Sequence, residues 1–183
     1  MMNDFFQQPL ANDLVRIAPL QATDFEALYA VAADPLLWEQ HPNPDRWQRP
    51  VFEKFFEGAL ASGGAYLVFD RQTGEVIGSS RYYDFDEKNR SVLIGYTFVS
   101  RSCWGKGHNP ALKWLMLDHA FERVDTVLFH IGAQNLRSQI SIGRIGAEKV
   151  RSILVPYYGE MPKENYEYHI TKTRWTAAKT HTE

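Results

Sequence analysis

Residues 99–111 read Val-Ser-Arg-Ser-Cys-Trp-Gly-Lys-Gly-His-Asn-Pro-Ala, a Gly-Lys-Gly turn between a hydrophobic strand and an amphipathic helix. Glycines at such a junction leave backbone N–H groups unpaired at a helix N-terminus. Those donors, with the positive end of the helix dipole, suit a phosphate-bearing ligand. Two phosphate-loop patterns fail. A Walker A loop needs Gly-x-x-x-x-Gly-Lys-Ser/Thr, but here Lys106 precedes Gly107 and His108 follows it, which disfavours a nucleotide hydrolase. A dinucleotide fingerprint needs a further glycine where Pro110 stands. A turn whose glycines serve geometry alone remains the bland alternative.

The elements that must position this turn can be read along the chain. Leu14–Ile17 suits a first strand, closed by Ala18-Pro19. Thr23 with Glu26 suggests a capping box for a helix carrying Phe25, Leu28, Tyr29 and Ala32, which Pro35 ends. The stretch 37–50, with three prolines, two tryptophans and His41, reads as an ordered aromatic loop. Pro50 opens a second helix with apolar face Val51, Phe52, Phe55, Phe56 and Leu60, stopped at Ser62-Gly63-Gly64. Strands at 65–70, 75–83 and 90–99 form an antiparallel meander. A helix over 110–123, a strand over 127–131, a helix over 136–146 and strands near 147–156 and 166–173 complete a mixed α/β or α+β pattern. Within 127–131, Val127, Phe129 and Ile131 share one face and His130 the other.

Composition narrows the class. At 183 residues, with 44% hydrophobic and 23% charged residues, the chain fits a single domain spanning 1–183. Residues 1–12 read as a loose extension and 174–183 as a tail. A net charge of −2 supplies no general attraction to nucleic acid. One cysteine, Cys103, excludes an internal disulfide framework and a cysteine-based zinc knuckle, and no histidine spacing suggests a metal. The N-terminus lacks the basic and apolar regions of a signal peptide, and no apolar run approaches ~18 residues. The expectation is a cytoplasmic protein without membrane contact.

A third loop pattern fits the turn. Trp104-Gly105-Lys106-Gly107-His108-Asn109 resembles the pyrophosphate loop of GNAT acetyltransferases, with Gly107 at the central glycine. Trp104 at the lead position, with Asn109 and Lys113, resembles the branch that acetylates ribosomal-protein N-termini. The likeness extends in order through Val76–Tyr82, Ile94–Thr97, His119–Glu122, Asn135–Ser138 and Ile142–Ala147, covering residues 14–173.

The resemblance implies a single α+β domain with about four helices. Its central, mostly antiparallel twisted sheet would splay between the fourth and fifth strands, and acetyl-CoA, the co-substrate, would insert there with no metal. Phe98 and Val99 would meet the pantetheine arm as an added strand would. Trp104, Gly105, Lys106, Gly107, His108 and Asn109 would surround the pyrophosphate, with Lys113 near the cofactor. Asn135 would contact the pantetheine, or cap a helix; Lys106 would meet a phosphate, or solvent.

Catalysis would be direct attack by a primary amine, of a small molecule or a protein or peptide N-terminus. An α-amino group, with pKa ~8 against ~10.4 for lysine, is the more easily made neutral. Two groups common in the family are absent: Ile142 stands where many members have a tyrosine acid, and Leu93 where many have a glutamate base. Ser138 matches a serine near the sulfur and is the candidate acid; its alternative is a first-turn helix serine. Asp84, His130 and Glu39 are the candidate bases. Arg81, Tyr83 and Tyr96 would shape the acceptor pocket, with the loop Trp38–Trp47 and Tyr157-Tyr158 closing over it. An acyl-CoA-binding module without chemistry is the alternative function, and a C-terminal edge strand offers a homodimer surface.

Overall fold

The structure, a computed structural model, describes residues 4–156 and 161–180. Eight strands form one sheet: β1 (Leu10–Ala11), β2 (Val15–Pro19), β3 (Ala65–Asp70), β4 (Val76–Asp86), β5 (Ser91–Val99), β6 (Thr126–Gly132), β7 (Glu148–Val155) and β8 (Lys163–Thr171). Their spatial order is β1-β2-β3-β4-β5-β6-β8-β7. Every pairing is antiparallel except β5 with β6. Five α-helices cover the sheet, one more than expected: α1 (Phe25–Ala32), α2 (Arg49–Ser62), α3 (His108–Ala120), α4 (Leu136–Arg144) and α5 (Lys172–Thr180). The expected mixed α/β architecture holds.

Alternation along the strands builds two cores, one on each sheet face. Tyr66, Val68, Tyr82, Ile94 and Phe129 pack with Leu112, Met116 and Leu117 of α3. On the opposite face Leu67 and Phe98 meet Leu28 and Ala32 of α1 and Phe52, Phe55, Phe56 and Ala59 of α2. The second helix starts with proline in its first turn and stops at Gly63 in the left-handed region (φ 64°), as the sequence predicts. Its inner face takes Ala59 rather than Leu60, which is exposed, because the helix phase from Phe52 and Phe56 carries position 59 inward.

Three further expectations change. The capping box is Gln21 with Asp24 on the 3-10 turn Ala22–Asp24 that leads into α1, not Thr23 with Glu26; the Gln21 N–H donates to Asp24 Oδ2 at 2.8 Å, and the Asp24 side chain makes no capping bond to α1 itself. Glu26 instead pairs with Arg49 at 2.8 Å. The N-terminal segment, expected to be loose, is packed from residue 4 onward. Phe6 is fully buried against Tyr82, Phe85 and His119, and the short β1 pairs with β2. The expected tail at 174 is α5, anchored by buried Trp175, whose indole N–H donates to Asp118 at 2.7 Å. Both segments are mostly polar in sequence, and the few apolar residues that anchor them, Phe5 and Phe6 in one and Trp175 in the other, set no periodicity.

Phe6→Ala is therefore expected to cost about 3 kcal/mol of unfolding free energy in urea denaturation, the magnitude of a buried Phe truncation. A cost below about 1 kcal/mol would mean that the N-terminal segment is not part of the core.

Candidate active site

The site exists because one strand pair is left incomplete. β5 and β6 pair in parallel only at Ser91, Val92 and Leu93 with Thr126, Val127 and Leu128. Past Leu93 the strands separate, and backbone groups along their facing edges lose the partners a continued ladder would supply. β5 also bulges: Ser79 lies opposite Phe98 and Arg81 opposite Gly95, so Ser80 faces both Tyr96 and Thr97. Tyr96 adopts a left-handed backbone (φ 52°), costing about 1–2 kcal/mol for a residue with a Cβ. The bulge turns the Tyr96 ring onto Tyr83 (centroids 5.1 Å) and Arg81 (guanidinium 4.0 Å from the ring).

The resulting cleft encloses about 770 Å³, its open mouth included, and its walls hold Tyr83, Tyr96, Lys113, His130, Asn135 and Ser138. His41 and Pro42 of the aromatic loop close one side. Pro42 presses so closely on Gly132 that a Cβ there would collide with its ring, so the end of β6 requires glycine. Trp38, expected as part of a lid, is core: it is buried, and its indole donates to Ala32 O at 2.7 Å. The Tyr157-Tyr158 expectation lies outside the described residues.

The Gly-Lys-Gly turn sits beyond the end of β5. Gly105 (φ 73°) and Gly107 (φ 85°) both take the left-handed conformation, and Gly107 is the N-cap of α3. The turn's internal bonds use the N–H groups of Cys103, Trp104 and Lys106. Among the described residues, those of Gly105, Gly107, His108 and Asn109 have no acceptor. Four donors at one helix start match the needs of a pyrophosphate.

The side chains of the turn divide. Lys106 is exposed, and Asn109 lines the cleft while donating to Ser141 Oγ at 3.2 Å. His108, expected beside the cofactor, turns away to Asp70 (2.8 Å), so only its backbone faces the turn. Trp104 donates its indole N–H to Val99 O at 2.9 Å and lies under the Arg137 guanidinium at 4.1 Å. That bond occupies the Val99 carbonyl, while the Val99 and Phe98 side chains enter the two cores. The cleft wall is instead Ile94–Thr97.

Lys113 is nearly fully buried in the cleft, with Nζ donating to Thr97 Oγ1 at 2.6 Å. Among the described residues no carboxylate pairs with it, and burial pulls its pKa down to about 7. On the other face of β6, His130 meets Glu167 of β8 (Nε2 to Oε2 3.2 Å). Burial lowers the His130 pKa, and Glu167 opposes the fall. Burial raises the Glu167 carboxyl, but hydrogen bonds from Arg151, His169 and His130 outweigh it and hold the group at about 2. His41, half-buried in the loop, is pulled well below the usual histidine range by desolvation and by the neighbouring Arg46 charge.

Of the candidate bases, the structure brings only His130 into the cleft. Asp84 is exposed on β4 next to Tyr83, near enough for its charge to raise the His130 pKa, and Glu39 is exposed in the loop; neither lines the cavity. Asn135 does cap α4, accepting from Ser138 N at 3.1 Å, and both residues also face the cleft. Glu167 was not foreseen. Its only sequence signal is a carboxylate amid strand-forming aromatics, and its register opposite His130 is a long-range fact.

The sequence pattern of the family described as "Acetyltransferase (GNAT) domain" matches residues 15–148. The fold is similar to a GCN5-related N-acetyltransferase from Brucella melitensis, with TM-score 0.82, 17% identity, and 95% of this chain and 83% of that chain covered. It is also similar to RimJ of Mycobacterium smegmatis in complex with CoA-disulfide, with TM-score 0.71, 16% identity, and 96% and 93% covered. An acetyltransferase (GNAT family) from Bacillus anthracis gives TM-score 0.73, 14% identity, and 91% and 99% covered. No match was found among curated proteins.

A buried lysine whose folded pKa is lowered destabilises the fold below that pKa, and the penalty vanishes as pH rises through the unfolded value of about 10.4. Lys113→Met should therefore raise the melting temperature at pH 6 by roughly 3–6 °C, with the gain shrinking toward pH 10. Thermal unfolding at the two pH values checks this; an equal change at both would contradict it.

Proposed function

The chain belongs to the GNAT acetyltransferase family, and on that premise we propose that it transfers an acetyl group from acetyl-CoA to a primary amine by direct attack. The observation that carries this reading is the cleft between β5 and β6, with four unengaged N–H groups on the turn beyond β5. These donors fit the pyrophosphate. The open edge of β5 over Ile94–Thr97 fits the amides of a pantetheine arm. Lys113 adds a cation deep in the same cleft. The acceptor enters past Arg81, Tyr83 and Tyr96, as a small amine or a protein or peptide N-terminus.

The chemistry needs a neutral amine, a developing oxyanion held, and a proton for the leaving thiolate. His130 accepts the amine proton. Glu167, bound at its Nε2, fixes the tautomer that leaves Nδ1 as the acceptor and stabilises the cation that forms. The amine nitrogen bonds the thioester carbon, the carbon–sulfur bond breaks, and Ser138 delivers a proton to the thiolate while its hydroxyl regains one, through solvent, from the His130 cation. Lys113 is the cation within the cleft suited to the oxyanion. A cytoplasmic location fits acetyl-CoA supply, and no helix among the described residues is long and apolar enough to cross a membrane. The edge strand β7, with Val150 and Leu154 exposed, is the surface on which a homodimer would form.

A second reading, an acyl-CoA-binding module without chemistry, is favoured by two apolar positions. Leu93 and Ile142, where a base and an acid are common in the family, are buried hydrophobic residues. Incubation with acetyl-CoA and a panel of amines and peptides, monitored for free thiol, separates the readings. Turnover supports the transferase; calorimetric CoA binding with no transfer supports the module.

Three variants test the roles. His130→Ala should lower kcat about 100-fold or more, the usual size of a lost general base. Glu167→Gln removes a charge that raises the His130 pKa, so the acidic limb of the kcat profile should move to lower pH while the plateau falls. A limb that stays in place would exclude His130 as the base. Ser138→Ala should lower kcat about tenfold with little change in acetyl-CoA affinity; unchanged kcat would remove it as the acid.

A further inference from the structure

Behind Tyr96, on the α2 face of the sheet, lies a second cavity of about 1030 Å³, its open mouth included. Its walls include Arg46, Lys54, Phe55, Arg81, Tyr96 and Lys163, and Asp45 is the one carboxylate residue in its lining. Tyr96 belongs to both this cavity and the cleft, so the two spaces adjoin at the bulge.

The cations here are built in rather than scattered on the surface. Arg46 is 3% exposed and Arg81 6%. Both guanidinium groups lie over the same rings, at 4.8 and 5.6 Å from Phe55 and at 5.9 and 4.0 Å from Tyr96. Arg81 donates Nη1 to Gly58 O at 3.1 Å, while its buried Nε has no partner. Among the described residues no carboxylate pairs with Arg81. Burial pushes its pKa down to about 10, and neighbouring Arg46 adds to the fall. A buried cation with an orphaned donor is costly unless an anion arrives to meet it. Guanidinium forks suit a carboxylate or similar planar anion.

We propose that the acceptor is an amine bearing a carboxylate, which the Arg46–Arg81 pair receives beyond Tyr96 while the amine reaches the cleft. This substrate class rests on the transferase reading above. Two sources supply the chemistry: the α-carboxylate of a free amino acid, or an acidic side chain beside a peptide N-terminus. Two like charges held together would discriminate against a purely cationic amine, which they repel.

Matched pairs test this on the unaltered protein. In one arm, thiol release from acetyl-CoA is followed with L-alanine against L-alaninamide; in the other, with peptides beginning Ala-Asp against Ala-Asn. The expected result is a kcat/KM about tenfold or more higher for the carboxylate member in at least one arm, the scale of a charge-assisted hydrogen bond, and the arm names the source. Arg81→Gln should cut that ratio to about twofold or less through KM, with CoA affinity by calorimetry unchanged. Equal or faster turnover of the neutral members in both arms overturns the proposal and leaves the transferase reading standing. Absence of thiol release from every amine, with acetyl-CoA bound in calorimetry, overturns the transferase reading and this proposal with it.

Discussion

The structure depends on where one parallel strand pair stops. Three residue pairs join β5 to β6, and beyond Leu93 and Leu128 the ladder is abandoned. A sheet interior normally keeps every backbone group bonded, since an unpaired buried donor or acceptor forfeits a hydrogen bond's worth of stability. Here each strand keeps a partner on its outer edge, β5 with β4 on both sides of its bulge and β6 with β8 along its whole length. The gap therefore does not unravel the sheet. It converts the facing edges into a site that an extended amide-bearing ligand can complete.

The same trade of stability for binding recurs in the charges. Lys113 and Arg81 are both buried basic groups without a carboxylate partner among the described residues, on opposite faces of the sheet. Burying a charge unpaired opposes folding, so other contacts must outweigh it. The two aromatic cores supply that surplus. By contrast, the anion at the site, Glu167, is heavily compensated by Arg151, His169 and His130. Its charge is satisfied by its neighbours, whereas the two cations have no carboxylate beside them among the described residues.

Much of the frame was legible in the residues. The glycine turn, the meander and the helix that follows are encoded locally, by turn glycines, alternation and a proline at a helix start. So was the face of β6 that carries His130. What escaped was encoded at long range. Phe6 and Trp175 anchor segments whose neighbours are polar, and Arg46 lies in a loop without periodicity. Glu167 matters only because β8 sets it opposite His130. Phe98 and Val99 were expected at the cofactor through likeness to the family, yet their side chains enter the cores and the cleft lining takes Ile94–Thr97 of the same strand.

That bulge also sets the two spaces side by side, with Tyr96 in the lining of both. Without an extra residue in β5, strict alternation would hold the strand in register with β4 throughout. With it, Thr97 reaches Ser80 and Lys113, and Tyr96 stacks toward Tyr83 and Arg81. Lys113 comes from the α3 side and Arg81 looks to the α2 side. The strained Tyr96 backbone thus stands between the two spaces, and its cost is offset by the aromatic and cation contacts that only this conformation permits. A residue with a Cβ but no ring at this position would keep the strain and lose the ring contacts, so the bulge and the tyrosine are coupled features of one site.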